Sequence, residues 1–297
     1  MNNFLDLGLI SAAVRIGAPL LFAALGTVFV SSAGVMNISI EGSMLVGTFT
    51  AVVIGYLTQS VLLGFLAAGV AGLLLAAAPS LLIVKLRGDP IVVGLGGNLL
   101  AWGITVFLLE EVLHMRGTFT GSPVPFFKPL SIPGVNLVPV LKELLSGYTT
   151  PIYLSVIVAL LIGVVLYKTP SGLIIRSTGA NSEAVRAIGT DVPSIQIACF
   201  LLSGFLAGLG GACLSVANLQ GFWSENMTNG RGYIALCAAA FGRNNPKLVM
   251  LACFLFGLAE AIGIRTQVFH LPPAFVLMIP YILTIVMLTV STKRERI

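Results

Sequence analysis

Gly179-Ala180-Asn181-Ser182-Glu183-Ala184-Val185-Arg186-Ala187-Ile188-Gly189-Thr190-Asp191 is a polar island in an apolar chain. Asn181 or Ser182 can cap a helix start by accepting an orphan backbone N–H, and Gly189 supplies a left-handed residue that stops the helix about two turns later. Apolar runs flank the island, Pro151–Tyr167 before it and Ile195–Ala217 after it. A capped polar helix between two such runs is predicted to lie outside the hydrocarbon, where another molecule docks on it.

Outward from this island the chain is greasy. Of its 297 residues 57% are hydrophobic and 9% charged, against roughly 25% charged in a soluble domain, and the mean hydropathy is +1.02. A soluble globule of this size cannot hide so much apolar surface, so an all-α integral membrane protein is predicted. The remaining runs are Leu7–Val30, Val35–Leu57, Val61–Val84, Ile91–Leu113, Lys247–Ile264 and Pro272–Val290. Tyr233–Phe241 is apolar but has nine residues, where a span needs about 20. It reads as a half-helix entered through a non-helical stretch, Asn218–Arg231, and such backbone survives at membrane depth only when buried in protein or lining a wet cavity. The expected architecture is one polytopic bundle of about eight to nine membrane segments, a single domain over 1–297. The proline-bearing piece 114–150, with Pro123, Pro125, Pro129, Pro133 and Pro139 and an amphipathic patch at Val138–Leu145, is its long external loop.

Orientation follows from the basic residues of the connections. One set carries Lys85, Arg87, Lys168, Arg176, Arg186, Arg243, Lys247, Lys293, Arg294 and Arg296; the other carries Arg116, Lys128, Lys142, Arg231 and Arg265. Ten against five places the first set in the cytoplasm, with the C-terminus and the loop 168–194, and counting back puts the N-terminus outside. The N-terminus shows no basic stretch followed by a small-residue cleavage site, so no cleaved signal peptide is expected. Cys199, Cys213, Cys237 and Cys253 all sit in apolar runs and read as packing residues.

Polar groups inside the apolar runs are the candidates for function. Asn37 and Glu41, four apart, are expected on one helix face with Ser39 turned elsewhere; Glu41 is open to a pathway-lining or a structural role. Gly96, Gly97 and Asn98 suit close helix approach and a hydrogen bond across helices, and Gly204, Gly208 and Gly211 suit packing. Phe222, Trp223 and Asn226 precede the half-helix, where aromatic rings stack a planar ligand or mark the interface. Arg231 is expected to anchor the segment to carbonyls or a carboxylate, and Glu260 and Arg265 to pair. Catalysis finds no support: His114 and His270 stand at span ends, with no nucleophile–base set and no metal-spaced cluster. No basic stripe interleaved with aromatics suggests nucleic acid. The absence of a GxxxxGK[ST] loop means that any ATP and Mg are bound by another subunit.

Gly34-Val35-Met36-Asn37-Ile38-Ser39-Ile40-Glu41-Gly42-Ser43-Met44-Leu45-Val46-Gly47 resembles an early segment of permease subunits of bacterial ABC importers for nucleosides and simple sugars. Gly230-Arg231-Gly232-Tyr233-Ile234-Ala235-Leu236, running on to Phe241-Gly242-Arg243-Asn244-Asn245-Pro246, resembles a second signature of those subunits. The island Gly179–Asp191, through Glu183-Ala184 and Gly189, resembles their cytoplasmic coupling loop. With Leu202–Gly211 the similarity covers most of Gly34–Pro246; Asn244 departs from a usual aromatic residue and Cys237 from a usual small apolar one. The resemblance implies a type II-like ABC importer permease in a bacterial plasma membrane, the shorter of two paired permeases. Its implied partners are a longer paralogous permease, a tandem-domain ATPase and a lipid-anchored binding protein that prefers nucleosides.

On this basis Asn37, Glu41, Asn98, Phe222 and Trp223 are expected along the pathway, and Ser182, Glu183, Ala184, Arg186 and Gly189 at the ATPase. An ABC permease for simple sugars is the alternative. A stand-alone channel or ion-coupled carrier is a reading of another class, and for it no second copy of the Asn37–Glu41 segment is found.

Overall fold

The computed structural model describes residues 7–119, 124–130 and 146–266. The run Pro272–Val290, the patch Val138–Leu145, His270 and the C-terminal cations lie outside the described residues. Within them the chain forms α1 (Leu7–Ser32), α2 (Ile40–Thr58), α3 (Val61–Val84), α4 (Pro90–Leu113), β1 (Thr118–Phe119), α5 (Thr150–Lys168), α6 (Pro170–Ala180), α7 (Ser182–Ala187), α8 (Val192–Ala212), β2 (Trp223–Ser224), α9 (Arg231–Phe241) and α10 (Pro246–Thr266). Seven of these helices are long and apolar enough to cross a membrane, and the half-length helix α9 stands among them.

Local chemistry sets the boundaries. Ser60 caps α3 by accepting from Leu63 N–H. Asp89 caps α4 through two backbone amides, with Pro90 at the first helical position, where its missing N–H costs nothing. Asn181 caps α7 by accepting from Ala184 N–H at 3.0 Å, and Gly189 follows it at φ +85°. The island thus holds the one short capped helix expected of it, α7, and only the last two residues of α6, a helix that Pro170 starts directly after α5. At the far end of α8 the backbone widens into a π-helical turn, Cys213–Asn218. This leaves room for the chain to turn back through Gln220 and Gly221, both at positive φ.

Burial sorts the spans into a centre and a periphery. The most apolar window is 83% buried in α1 and 72% in α2 and α8, but 17% in α4. α8 lies against α1, α2 and α3, while α4 rests on α2 and α3, and α10 on α1 with α5 beside them. Small residues permit the tightest seam. A Cβ on Gly208 would stand 2.2 Å from the Ala68 carbonyl oxygen, and one on Gly204 2.4 Å from the Ala76 Cβ, so the spacing seen in the sequence is a packing device between α8 and α3. Cys199, Cys213 and Cys253 are buried free thiols, and Cys237 is half-buried.

On the face opposite the polar island, β1 pairs antiparallel with β2, Thr118 opposite Ser224 and Phe119 opposite Trp223. The long loop and the non-helical stretch before α9 thus meet at one end of the bundle. At the other end α6 abuts the exit of α1. A Cβ on Gly179 would lie 2.3 Å from the Ser32 carbonyl oxygen, so α6 touches the first span backbone to backbone.

A candidate solute groove at two broken helices

Asn37 and Glu41 do not share a helix face. The second span begins at Ile40 rather than Val35, and residues 35–39 are not helical, although they lie at the depth of Ser203 in the middle of α8. Backbone of this kind needs partners inside the protein. Asn37 Oδ1 accepts from the Ser39 amide at 2.9 Å and from its hydroxyl at 2.7 Å, while Nδ2 donates to Ser203 Oγ at 3.1 Å. Ser39 is consequently turned towards Asn37. Asn98, from α4, closes the other side of the break. It donates to the Ile38 carbonyl at 3.0 Å and accepts from the Gly42 amide at 2.7 Å. Two carboxamides therefore take up the polar groups that the interrupted helix leaves open.

Glu41 stands in the first turn of α2 and faces the first turn of α9. Its carboxylate accepts from Thr228 Oγ1 at 2.7 Å, the Gly230 amide at 2.8 Å and the Gly232 amide at 2.6 Å. The positive ends of two helix dipoles converge on this one anion, which is what makes a carboxylate tolerable 7% exposed among apolar spans. Gly232 is required by the close approach: a Cβ there would come 2.6 Å from the Glu41 Cα. Glu41 thus ties α9 to α2 and also borders an open groove.

Arg231 leaves the helix start and turns back on its own approach, donating to the Met227 and Thr228 carbonyls and pairing with Glu260 of α10. The anchoring expected of Arg231 is present, and the pairing expected between Glu260 and Arg265 is not, because Arg231 occupies the carboxylate. Among the described residues no group of three metal-ligating side chains converges.

The groove encloses about 500 Å³ between α2, α4 and the entry to α9, bordered by Glu41, Asn98, Trp102, Asn226, Asn229 and Tyr233. Asn98 Nδ2 also donates to the Tyr233 hydroxyl at 2.9 Å, fixing that ring at the rim. Asn226 and Asn229 are exposed at positive φ, at 52° and 45°, and among the described residues their carboxamides make no hydrogen bond. Trp102, 48% exposed, offers its ring alongside. Of the pathway residues expected from sequence, Glu41 and Asn98 meet here, and Asn37 lies just behind them on the break. Trp223 is 1% exposed; its Nε1 donates to Thr48 Oγ1 at 3.0 Å and its ring packs edge-on against Phe49, so it belongs to the core and not to the groove. Phe222 is exposed but does not border it. Sequence reasoning missed Trp102, Asn229 and Tyr233. Trp102 is four residues from Asn98 on the same helix face, a spacing that would have found it.

Ser182, Glu183, Ala184 and Arg186 form the projecting helix α7, in which Val185 alone is buried, and Gly189 turns the chain back into α8. Ile188 at its tip is 79% exposed. This exposed apolar tip belongs to the end of the bundle where Gly179 meets Ser32 and does not border the groove.

A family model described as branched-chain amino acid transport system / permease component matches residues 9–288. The chain is 34% identical to the guanosine ABC transporter permease protein NupQ of Bacillus subtilis, over 95% of this chain and 91% of that one. It is 33% identical to the nucleoside ABC transporter permease protein NupC of Lactococcus lactis, over 91% and 87%. A putative glucose ABC transporter permease protein of Haloferax volcanii, TsgC13, is 29% identical over 88% and 78%. No solved structure matches. Seven apolar helices, a half-helix held at its start by a buried carboxylate, and a match along nearly the whole chain lead to one assignment. This multi-pass membrane protein belongs to the family of branched-chain amino acid transport system permease components.

Proposed function

We propose that this chain is one of two permease subunits of an ATP-driven importer for nucleosides, contributing half of the solute pathway. The observation that carries the reading is the groove between α2, α4 and α9. It presents the carboxamides of Asn226 and Asn229, which make no hydrogen bond among the described residues, beside the rings of Trp102 and Tyr233. Carboxamides match the mixed donors and acceptors of a nucleobase edge, and rings stack on its face. No free charge is offered for the ammonium and carboxylate of an amino acid, since the Glu41 carboxylate is occupied by α9. The similarity to guanosine and nucleoside permeases supports the same substrate class.

A paralogous, longer permease is the proposed partner. Two guanosine permease proteins of Bacillus subtilis match the chain, at 34% and 25% identity over 91% and 71% of their lengths. ATP and Mg bind to a tandem-domain ATPase that docks on α7, at Ser182, Glu183, Ala184, Arg186 and Gly189, on the cytoplasmic side with the C-terminus. Closure of that ATPase moves α7 and α6, and the Gly179–Ser32 contact passes the motion to α1. Solute arrives from a lipid-anchored binding protein, so weak contacts in the groove suffice.

The test is uptake by proteoliposomes holding both permeases and the ATPase, loaded from the binding protein. Guanosine or another nucleoside is expected to be concentrated only with ATP. Uptake by this chain alone under an ion gradient defeats the importer reading. Glucose uptake in place of nucleoside uptake moves the substrate to the sugar class, which the Haloferax relative makes the second reading.

A further inference from the structure

We infer that the crevice between α5 and α10, at the end of the bundle that carries the polar island, is a binding site for an anionic phospholipid. The crevice holds about 390 Å³. Its floor is apolar, made by Ala159, Leu160, Gly163 and Val164 of α5 with Met250 of α10. Gly163 faces open space in it: a Cβ there would meet only the Pro246 Cβ, at 4.0 Å. Between Ala159 and Lys168 the helix rises roughly 13 Å at about 1.5 Å per residue, deep enough for the upper half of an acyl chain. Leu160 and Val164 are about half exposed, so the floor is continuous with the surface that faces lipid.

The mouth is basic. Lys168 ends α5 and Lys247 opens α10, both exposed and both bordering the crevice. Arg176 does not border the crevice but lies over Tyr167, which does, its guanidinium 4.9 Å from that ring centre while Nε donates to the Leu166 carbonyl. None of the three forms an ion pair among the described residues. The positive end of the α10 dipole points to the same place, through an N-terminus at Pro246. Two lysines at the mouth of an apolar slot between spans, neither in an ion pair among the described residues, fit a phosphate attached to a hydrocarbon chain. Free phosphate shares the headgroup chemistry but leaves the slot empty, and a cytosolic protein surface would leave the apolar depth unused.

The experiment is native mass spectrometry of the detergent-solubilised permease complex, equilibrated with equal amounts of phosphatidylglycerol and phosphatidylcholine. Phosphatidylglycerol is expected to be retained preferentially. Lys168→Gln and Lys247→Gln are each expected to lower the preference roughly five-fold, the equivalent of about 1 kcal/mol per surface cation. Gly163→Phe, which fills the slot and keeps the lysines, is expected to reduce retention of both lipids, and Lys85→Gln, a cation at another helix end, to change neither. Excess inorganic phosphate should leave the bound lipid in place. An unchanged preference in the double lysine variant overturns the inference, as does full displacement by phosphate. Loss of bound lipid when the ATPase subunit is added overturns it too, and assigns the lysines to a protein contact.

Discussion

At the scale of single residues the lone Glu41 carboxylate and the Arg231–Glu260 pair at α9 behave differently, and mutation should separate them. Glu41 forms no ion pair among the described residues; its partners there are two backbone amides and a hydroxyl. Glu41→Gln keeps the shape and replaces one acceptor oxygen by a donor facing an amide. The expected cost is roughly 1–3 kcal/mol, read as a lower melting temperature of the solubilised complex. A melting curve superposable on the wild type would remove the carboxylate from its role as tie. Arg231 and Glu260 form a mostly buried ion pair, 22% and 17% exposed at the side chain. Arg231→Met alone leaves a carboxylate stranded among apolar helices, whereas Arg231→Met with Glu260→Met removes both charges. The double variant is therefore expected to melt above the single one; the reverse order in a double-mutant cycle would show that the charges act independently.

Among elements, the half-helix was legible and the broken second span was not. Nine apolar residues between two glycine-bearing polar stretches cannot cross a membrane, so length alone exposed α9. Residues 35–39 hid inside an apolar run of sufficient length, because Ile38 and Ile40 keep the hydropathy high while Asn37 and Ser39 hydrogen-bond to each other. Spacing then misled: four residues apart means one face only if the segment is helical. The ion pair was misassigned for a similar reason, since Glu260 and Arg265 are near in sequence but Arg231 reaches Glu260 through the fold. For the groove, half the pieces were visible as polar residues in apolar runs, and the other half come from elements that sequence could not place side by side. Trp102 and Asn229 make the element-scale test. Trp102→Ala and Asn229→Ala, each open to the groove and neither a packing residue of the core, are expected to cut ATP-driven nucleoside uptake by roughly ten-fold, the worth of about 1.4 kcal/mol, with melting unchanged. Wild-type uptake in both would place the solute elsewhere.

For the whole molecule, the question is which end faces the cytoplasm, because the docking reading of α7 depends on it. The fold gathers its connections into two groups that no element mixes: the β1–β2 pairing holds the long loop and the approach to α9 at one end, and α6, α7 and the Lys168–Lys247 mouth occupy the other. The basic residues are unequally shared between these groups, which favours the second as the cytoplasmic face. The native thiols make this directly testable. Cys199, Cys213 and Cys253 are buried and Cys237 half-buried within helices, so a membrane-impermeant maleimide should label the unmodified chain weakly from either side. Ile188→Cys, at the exposed tip beyond α7, is expected to label in inside-out vesicles and not in intact cells. Arg116→Cys, 84% exposed at the side chain beyond α4, is expected to do the opposite. Reversal of both patterns would put α7 outside the cell, out of reach of any ATPase, and would end the coupling role together with the importer mechanism built on it. With the expected pattern established, Gly189→Val completes the argument. A β-branched residue at φ +85° is strained, so α7 should lose its angle to the bundle, and ATP-driven uptake should fall while the two permeases still co-purify.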